Sequence, residues 1–180
     1  AHMNISAPKN VKRLLSHTSS ELQRILQPNL VGIYLYGSLA MGGYNPTSSD
    51  IDVLVVVEHT ITPESKTKVI ELMITLSEDV PGGGFELTII STESLNNFKF
   101  PTPIELYFSS DTKERFLNGK ADLTKPAFDE TLATNITVIK EMGLVLFGES
   151  IAKIIPEIPR EIFLKSALSD FDWSYKNVMN

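Results

Sequence analysis

Asp50 and Asp52 sit at the head of Ile51-Asp52-Val53-Leu54-Val55-Val56-Val57, the most apolar run in the chain. On a strand, residues i and i+2 point to the same face, about 6–7 Å apart at Cα, so two carboxylates can converge on one cation. Two carboxylates together with substrate phosphates suit Mg²⁺, a hard ion that keeps oxygen ligands. An isolated Asp-x-Asp is more often a pair of solvated acids at a strand entrance.

Two further features bear on that choice. Gly37-Ser38 directly follows the apolar run Val31 to Tyr36 and opens what reads as a short helix at Leu39-Ala40-Met41. Glycine permits close approach of a ligand, and free N–H groups beside a serine hydroxyl suit phosphate. An ordinary strand-to-helix turn has the same composition. In Phe85-Glu86-Leu87-Thr88-Ile89-Ile90, Glu86 and Thr88 share one strand face, opposite Phe85, Leu87 and Ile89. A carboxylate entering a buried strand needs a partner such as a metal or an incoming hydroxyl, unless it lies on an edge facing water. Carboxylates clustered without a cation repel, so at least one of the three is expected to have a raised pKa.

The elements that must carry these residues are legible from periodicity. Val11, Leu14, Leu15, Leu22, Ile25 and Leu26 recur at helical spacing over about 8–26, and Pro28-Asn29 ends that helix. Strands are expected at 31–36, 51–57 and 85–90, with a fourth at 104–108. Pro63 opens a helix over about 63–78. A helix over about 126–142, an edge strand at 144–147 and a last helix from Arg160 follow. The fold class expected is α+β: a small mixed sheet flanked by helices. The boundaries expected are a first domain over 4–125 and a helical segment over 126–180.

Bulk properties narrow the partners. The net charge is −6, with 22 acidic and 16 basic residues. An acidic chain is a poor host for nucleic acid and a reasonable one for a cationic small molecule. Cysteine is absent and histidine scarce, which disfavours a zinc site and is compatible with cytoplasm. No apolar run reaches the length of a membrane helix and no signal peptide is visible, so the expectation is a cytoplasmic protein without membrane contact.

Taken together, Tyr34-Leu35-Tyr36-Gly37-Ser38, Ser49-Asp50-Ile51-Asp52-Val53 and Phe85-Glu86-Leu87-Thr88 resemble the signature of the polymerase-β-like nucleotidyltransferase superfamily. Within it, Gly32 to Ser38 followed by Gly42-Gly43, the strand Glu86 to Ile90 and the run Gly143 to Gly148 are similar to the streptomycin/spectinomycin (3″)(9) adenylyltransferases.

The resemblance implies that Gly37 and Ser38 hold the triphosphate of ATP. It implies Asp50 and Asp52 as Mg²⁺ ligands, with Glu86 completing the acidic cluster and acting as general base on an antibiotic hydroxyl. Members of the family are longer and carry a C-terminal helical domain, so the segment from 126 is expected to begin such a domain. Its last helix, with Phe163, Leu164, Leu168 and Phe171, would invite dimerisation if left uncovered. Trp173 is expected as a core anchor of that helix. Many streptomycin-modifying members carry a tryptophan where Ser109-Ser110-Asp111 stands here, so spectinomycin is preferred over streptomycin. The stretch Val31 to Val57 contains no lysine or arginine. The triphosphate therefore needs basic groups from elsewhere, with Arg160 and Lys165 as the late candidates. Two other readings stand beside this one: an antitoxin-type enzyme that adenylylates a partner protein, and a non-catalytic nucleotide-binding module.

Overall fold

Two hydrophobic layers on opposite faces of one sheet organise the chain, and the alternation of side chains along three strands assigns each residue to its layer. The structure is a computed structural model, described for residues 5–45, 50–80, 82 and 84–179, with side chains up to Phe171. Strands β1 (Leu30–Tyr36), β2 (Ile51–Val57) and β3 (Phe85–Ser91) form the centre. At the two edges lie β5 (Leu106–Phe108) and β7 (Leu144–Gly148), giving the order β5-β3-β2-β1-β7. Only β2 and β3 run parallel; every other pair is antiparallel. The parallel pair requires a crossover, supplied by helix α2 (Pro63–Ser77).

One face buries Ile33, Leu35, Val53, Val55, Leu87 and Ile89 against helix α1 (Lys9–Leu26) and α2. Helix α1 contributes Val11, Leu14, Leu15, Leu22 and Leu26, the stripe expected from its periodicity. Each such side chain stabilises the fold by roughly 1.5–3 kcal/mol relative to exposure. Thr62 caps α2 by accepting the Ser65 N–H at 3.1 Å, and Pro63 follows at the first helical position.

The second face buries Tyr34, Leu54, Val56 and Ile90 under helix α5 (Leu132–Met142), which presents Leu132, Ile136 and Ile139. This helix covers the sheet only toward one end. At the other end the same face is left open, and there the row of polar residues begins.

Several expectations are corrected in detail. The strand expected over 104–108 is two pieces: β4 (Thr102–Ile104) leaves the main sheet and pairs with β6 (Ala127–Asp129), while β5 pairs with β3. Glu105 marks the break. Its N–H bonds Ile89 O at 2.8 Å, and its carboxylate accepts the Ile61 N–H at 2.8 Å. The helix expected from 126 starts instead at Leu132, because residues 127–129 are taken up in that second sheet. Three short helices escape periodicity: α3 (Thr92–Asn96), α4 (Ser110–Leu117) and α6 (Ile151–Ile154). Leu144 to Gly148 is an edge strand, as expected.

The last helix, α7 (Arg160–Met179), packs on α5 and leaves Leu164, Leu168 and Phe171 exposed. The side chain of Trp173 lies outside the described residues. No helix among the described residues is long and apolar enough to cross a membrane.

Candidate active site

Tyr36, Asp52 and Glu86 are consecutive partners across three strands: Tyr36 pairs with Asp52, and Asp52 with Glu86. Directly opposed residues share a face, so all three point to the open end of the second layer. The continuous apolar run of β2 is what drives this strand to the sheet centre, and Asp52 is carried in with it, half-buried.

Asp50 lies just before β2 and is exposed. It is near enough for its charge to raise the pKa of both Asp52 and Glu86. Among the described residues, no three acidic or imidazole groups stand close enough to form a metal cluster. The structure thus brings Asp52 and Glu86 together and leaves Asp50 at the rim.

Asp52 and Glu86 share a hydrogen bond. Burial, then the Glu86 carboxylate beside it, push the Asp52 carboxyl up to about 7, with Asp50 adding to the rise. Glu86 is raised as well, chiefly by burial, and hydrogen bonds from Asp52 and from the Tyr107 hydroxyl partly offset this. Two half-buried carboxyls in contact, with no cation beside them among the described residues, are both pushed toward the protonated form.

That imbalance is the fit test for a cation. The donors are oxygens only, which suits Mg²⁺ rather than a soft metal. Two glycines keep space beside them: a Cβ at Gly37 would run into the Asp52 carboxylate, and one at Gly84 into that of Asp50. Gly37 also adopts φ 77°, a region that side chains rarely enter.

Ser38 begins a single helical turn rather than a helix. Met41 N–H bonds Gly37 O at 3.2 Å and Gly43 N–H bonds Ser38 O at 2.9 Å, and Gly42 reverses the chain at φ 80°. The turn's own bonds use N–H groups from Met41 onward, and Leu39 anchors it in the core. Residues 46–49, the approach to Asp50, lie outside the described residues.

Gly37→Ala tests this contact. The added methyl both strains the backbone and displaces the Asp52 carboxylate, at an expected cost of about 1–3 kcal/mol. The variant should melt several degrees lower; a wild-type melting curve would refute the contact.

In front of Glu86 opens a cleft of about 910 Å³, bounded by Tyr36, Tyr107, Ser109, Asp111, Phe128 and Asp129 among others. No lysine or arginine lines it among the described residues. Arg160 and Lys165 line separate depressions, one with Lys140 and the other with Phe100. Tyr36, Tyr107 and Asp129 line the cleft with Glu86, and sequence reasoning missed them. Their only signals were strand register and the pairing of β6, neither of which is readable from spacing.

Residues 15–117, more than half of the chain, match the model of the nucleotidyltransferase domain. The chain is 28% identical over 135 residues to a spectinomycin 9-adenylyltransferase of Staphylococcus aureus, covering 73% of this chain and 51% of that protein. It is 28% identical over 157 residues to an aminoglycoside (3″)(9) adenylyltransferase of Escherichia coli, covering 84% and 58%. The chain thus spans about half the length of the curated relatives it matches. Among solved structures, the spectinomycin adenyltransferase AAD(9) of Enterococcus faecalis, crystallised with ATP and spectinomycin, superposes with a TM-score of 0.75. Its sequence identity is 22%, covering 86% of this chain and 63% of that one. With the two-layered mixed sheet, the Gly-Ser turn and the paired carboxylates already in place, the chain belongs to the nucleotidyltransferase domain family.

Proposed function

We propose that this chain is the catalytic part of a Mg²⁺-dependent adenylyltransferase. It would transfer AMP from ATP to a hydroxyl of an aminocyclitol or aminoglycoside, with spectinomycin preferred over streptomycin. The observation that carries the reading is the cross-strand pair Asp52–Glu86 at the mouth of an acidic cleft, directly beside Gly37.

In this reading Asp52, with Asp50 joining it from the rim, would hold Mg²⁺, and Glu86 stands against Asp52. Bound there, the ion would neutralise phosphate charge. Gly37 lets the Asp52 carboxylate stand against the backbone, and Gly37 with the Ser38 hydroxyl would receive a phosphate there. Glu86 accepts the proton of the acceptor hydroxyl as its oxygen bonds to the α-phosphorus. The bond from that phosphorus to the bridging oxygen breaks, and pyrophosphate leaves. Such a transfer asks the protein mainly for position and charge compensation. The cleft contains no basic side chain among the described residues, so further countercharge for the triphosphate must come from outside its lining. The absence of a tryptophan at Ser109-Ser110-Asp111 favours spectinomycin.

The relatives' names support the acceptor class, and an assay of pyrophosphate release decides it. Release should require ATP, Mg²⁺ and spectinomycin together, with less or none on streptomycin, and mass spectrometry should find AMP on the drug. Nucleotide binding without release on either drug would end the antibiotic reading. AMP on a co-expressed protein would favour the antitoxin type instead.

A further inference from the structure

Tyr36 forms the floor of the cleft beside the paired carboxylates. It is only 8% exposed, yet it lines the opening. Its hydroxyl makes no hydrogen bond among the described residues. The charges of Asp52, Glu86 and Asp129 all bear on it. At the floor of an open cleft, such a group is met by whatever enters.

Asp129 supplies the charge on the same side. It ends β6, half-buried, and it receives the Thr131 N–H at 2.7 Å and the Thr131 hydroxyl at 3.1 Å on one carboxylate oxygen. It has no ion-pair partner among the described residues. Its charge reaches Glu86 and Tyr107 as well as Tyr36, and all four line the same cleft. Beside it Phe128 is 58% exposed, an aromatic surface left bare at the cleft wall. A cation is drawn both to an unpaired carboxylate and to an aromatic face.

We propose that Tyr36 and Asp129 form an acceptor subsite next to Glu86: Asp129 holds the ammonium group of a cationic amino alcohol, Tyr36 hydrogen-bonds its ring oxygens, and Phe128 forms the wall. The inference rests on the cleft being the acceptor side of an adenylyl-transfer site. It makes a protonated amine on the acceptor a requirement for tight binding. A neutral polyol of the same shape would leave Asp129 desolvated without a countercharge and is rejected on that ground.

The test is calorimetric titration of the chain, loaded with Mg²⁺ and a non-hydrolysable ATP analogue. The ligands are spectinomycin and its neutral N-acetylated derivative. Asp129→Asn keeps an oxygen for the Thr131 donors, and Tyr36→Phe keeps the buried ring; melting curves confirm folding of both. Spectinomycin should bind about tenfold or more weakly to Asp129→Asn and several-fold more weakly to Tyr36→Phe. The neutral derivative should bind wild type and Asp129→Asn alike. Added salt should weaken spectinomycin binding to wild type and much less to Asp129→Asn. Equal affinity of wild type and Asp129→Asn for spectinomycin overturns the subsite and leaves adenylyl transfer standing. Parallel loss of nucleotide and drug binding in Asp129→Asn also overturns it. A wild-type chain that binds the nucleotide analogue but no cationic acceptor overturns the antibiotic reading and the subsite together.

Discussion

Glu86→Gln should remove between about a hundredfold and ten-thousandfold of kcat, the range a positioned general base supplies, while leaving ATP binding within about twofold of wild type. The substitution is nearly isosteric. It keeps an oxygen for the Tyr107 hydroxyl and leaves Phe85 and Leu87 untouched on the opposite, buried face. What it deletes is the proton acceptor in front of the cleft. Rapid pyrophosphate-release kinetics and nucleotide titration separate the two roles assigned to this residue. If turnover falls while nucleotide affinity holds, Glu86 acts on the acceptor hydroxyl. Should both fall in parallel, Glu86 serves the metal alone and the base must be sought elsewhere. A variant with unchanged kcat would remove Glu86 from the chemistry altogether. The same variant should also lower the Asp52 pKa, since it eliminates the neighbouring charge that helps raise it.

Why Glu86 could be read from sequence at all, while Asp129 could not, is a matter of range. Asp50, Asp52 and Glu86 each lie at or beside the start of an apolar strand, where an ionisable group is costly and therefore conspicuous. Strand alternation then assigns faces within each element. The pairing of Tyr36 with Asp52 and of Asp52 with Glu86 depends on register between strands far apart in sequence, which no local pattern encodes. The β6 strand is three residues long and was hidden beneath a helical pattern that begins at Leu132. Asp129 therefore read as a residue of a helix start, not as part of a cleft. The break at Glu105 was obscured because β4 and β5 look like one apolar run in sequence; only the second sheet reveals why the chain changes partners there. The turn at Ser38 failed as a helix for a simpler reason: Gly42 ends it after one turn.

Asp52→Asn should abolish Mg²⁺-dependent transfer, by roughly three orders of magnitude or more, and at the same time make the metal-free protein more stable at alkaline pH. The second effect follows from the sign of the shift. Asp52 titrates at about 7 in the fold against an ordinary value of 3.8. The fold therefore prefers the protonated carboxyl. That preference contributes fully below about pH 4 and is lost as pH rises through 7, after which the ionised group faces Glu86 and Asp50 without a countercharge. Asparagine has nearly the same shape and no charge to lose. A rise of about three pKa units corresponds to about 4 kcal/mol, and solvent screening at the cleft reduces the difference in stability to about 3 kcal/mol at pH 8. That is a melting temperature roughly 5–10 °C above wild type, and the difference vanishes near pH 4. Millimolar Mg²⁺ should raise the wild-type melting temperature at pH 8 and leave that of the variant nearly unmoved, since the cation supplies the charge whose absence destabilises the pair. A melting difference that is flat from pH 4 to pH 8 would show that Asp52 is not held against its neighbours' charge. A metal-insensitive wild type would remove Asp52 from the cation site. An inactive variant whose stability gain appears only as pH rises is the outcome in which one carboxylate is both the metal's ligand and the apo protein's liability.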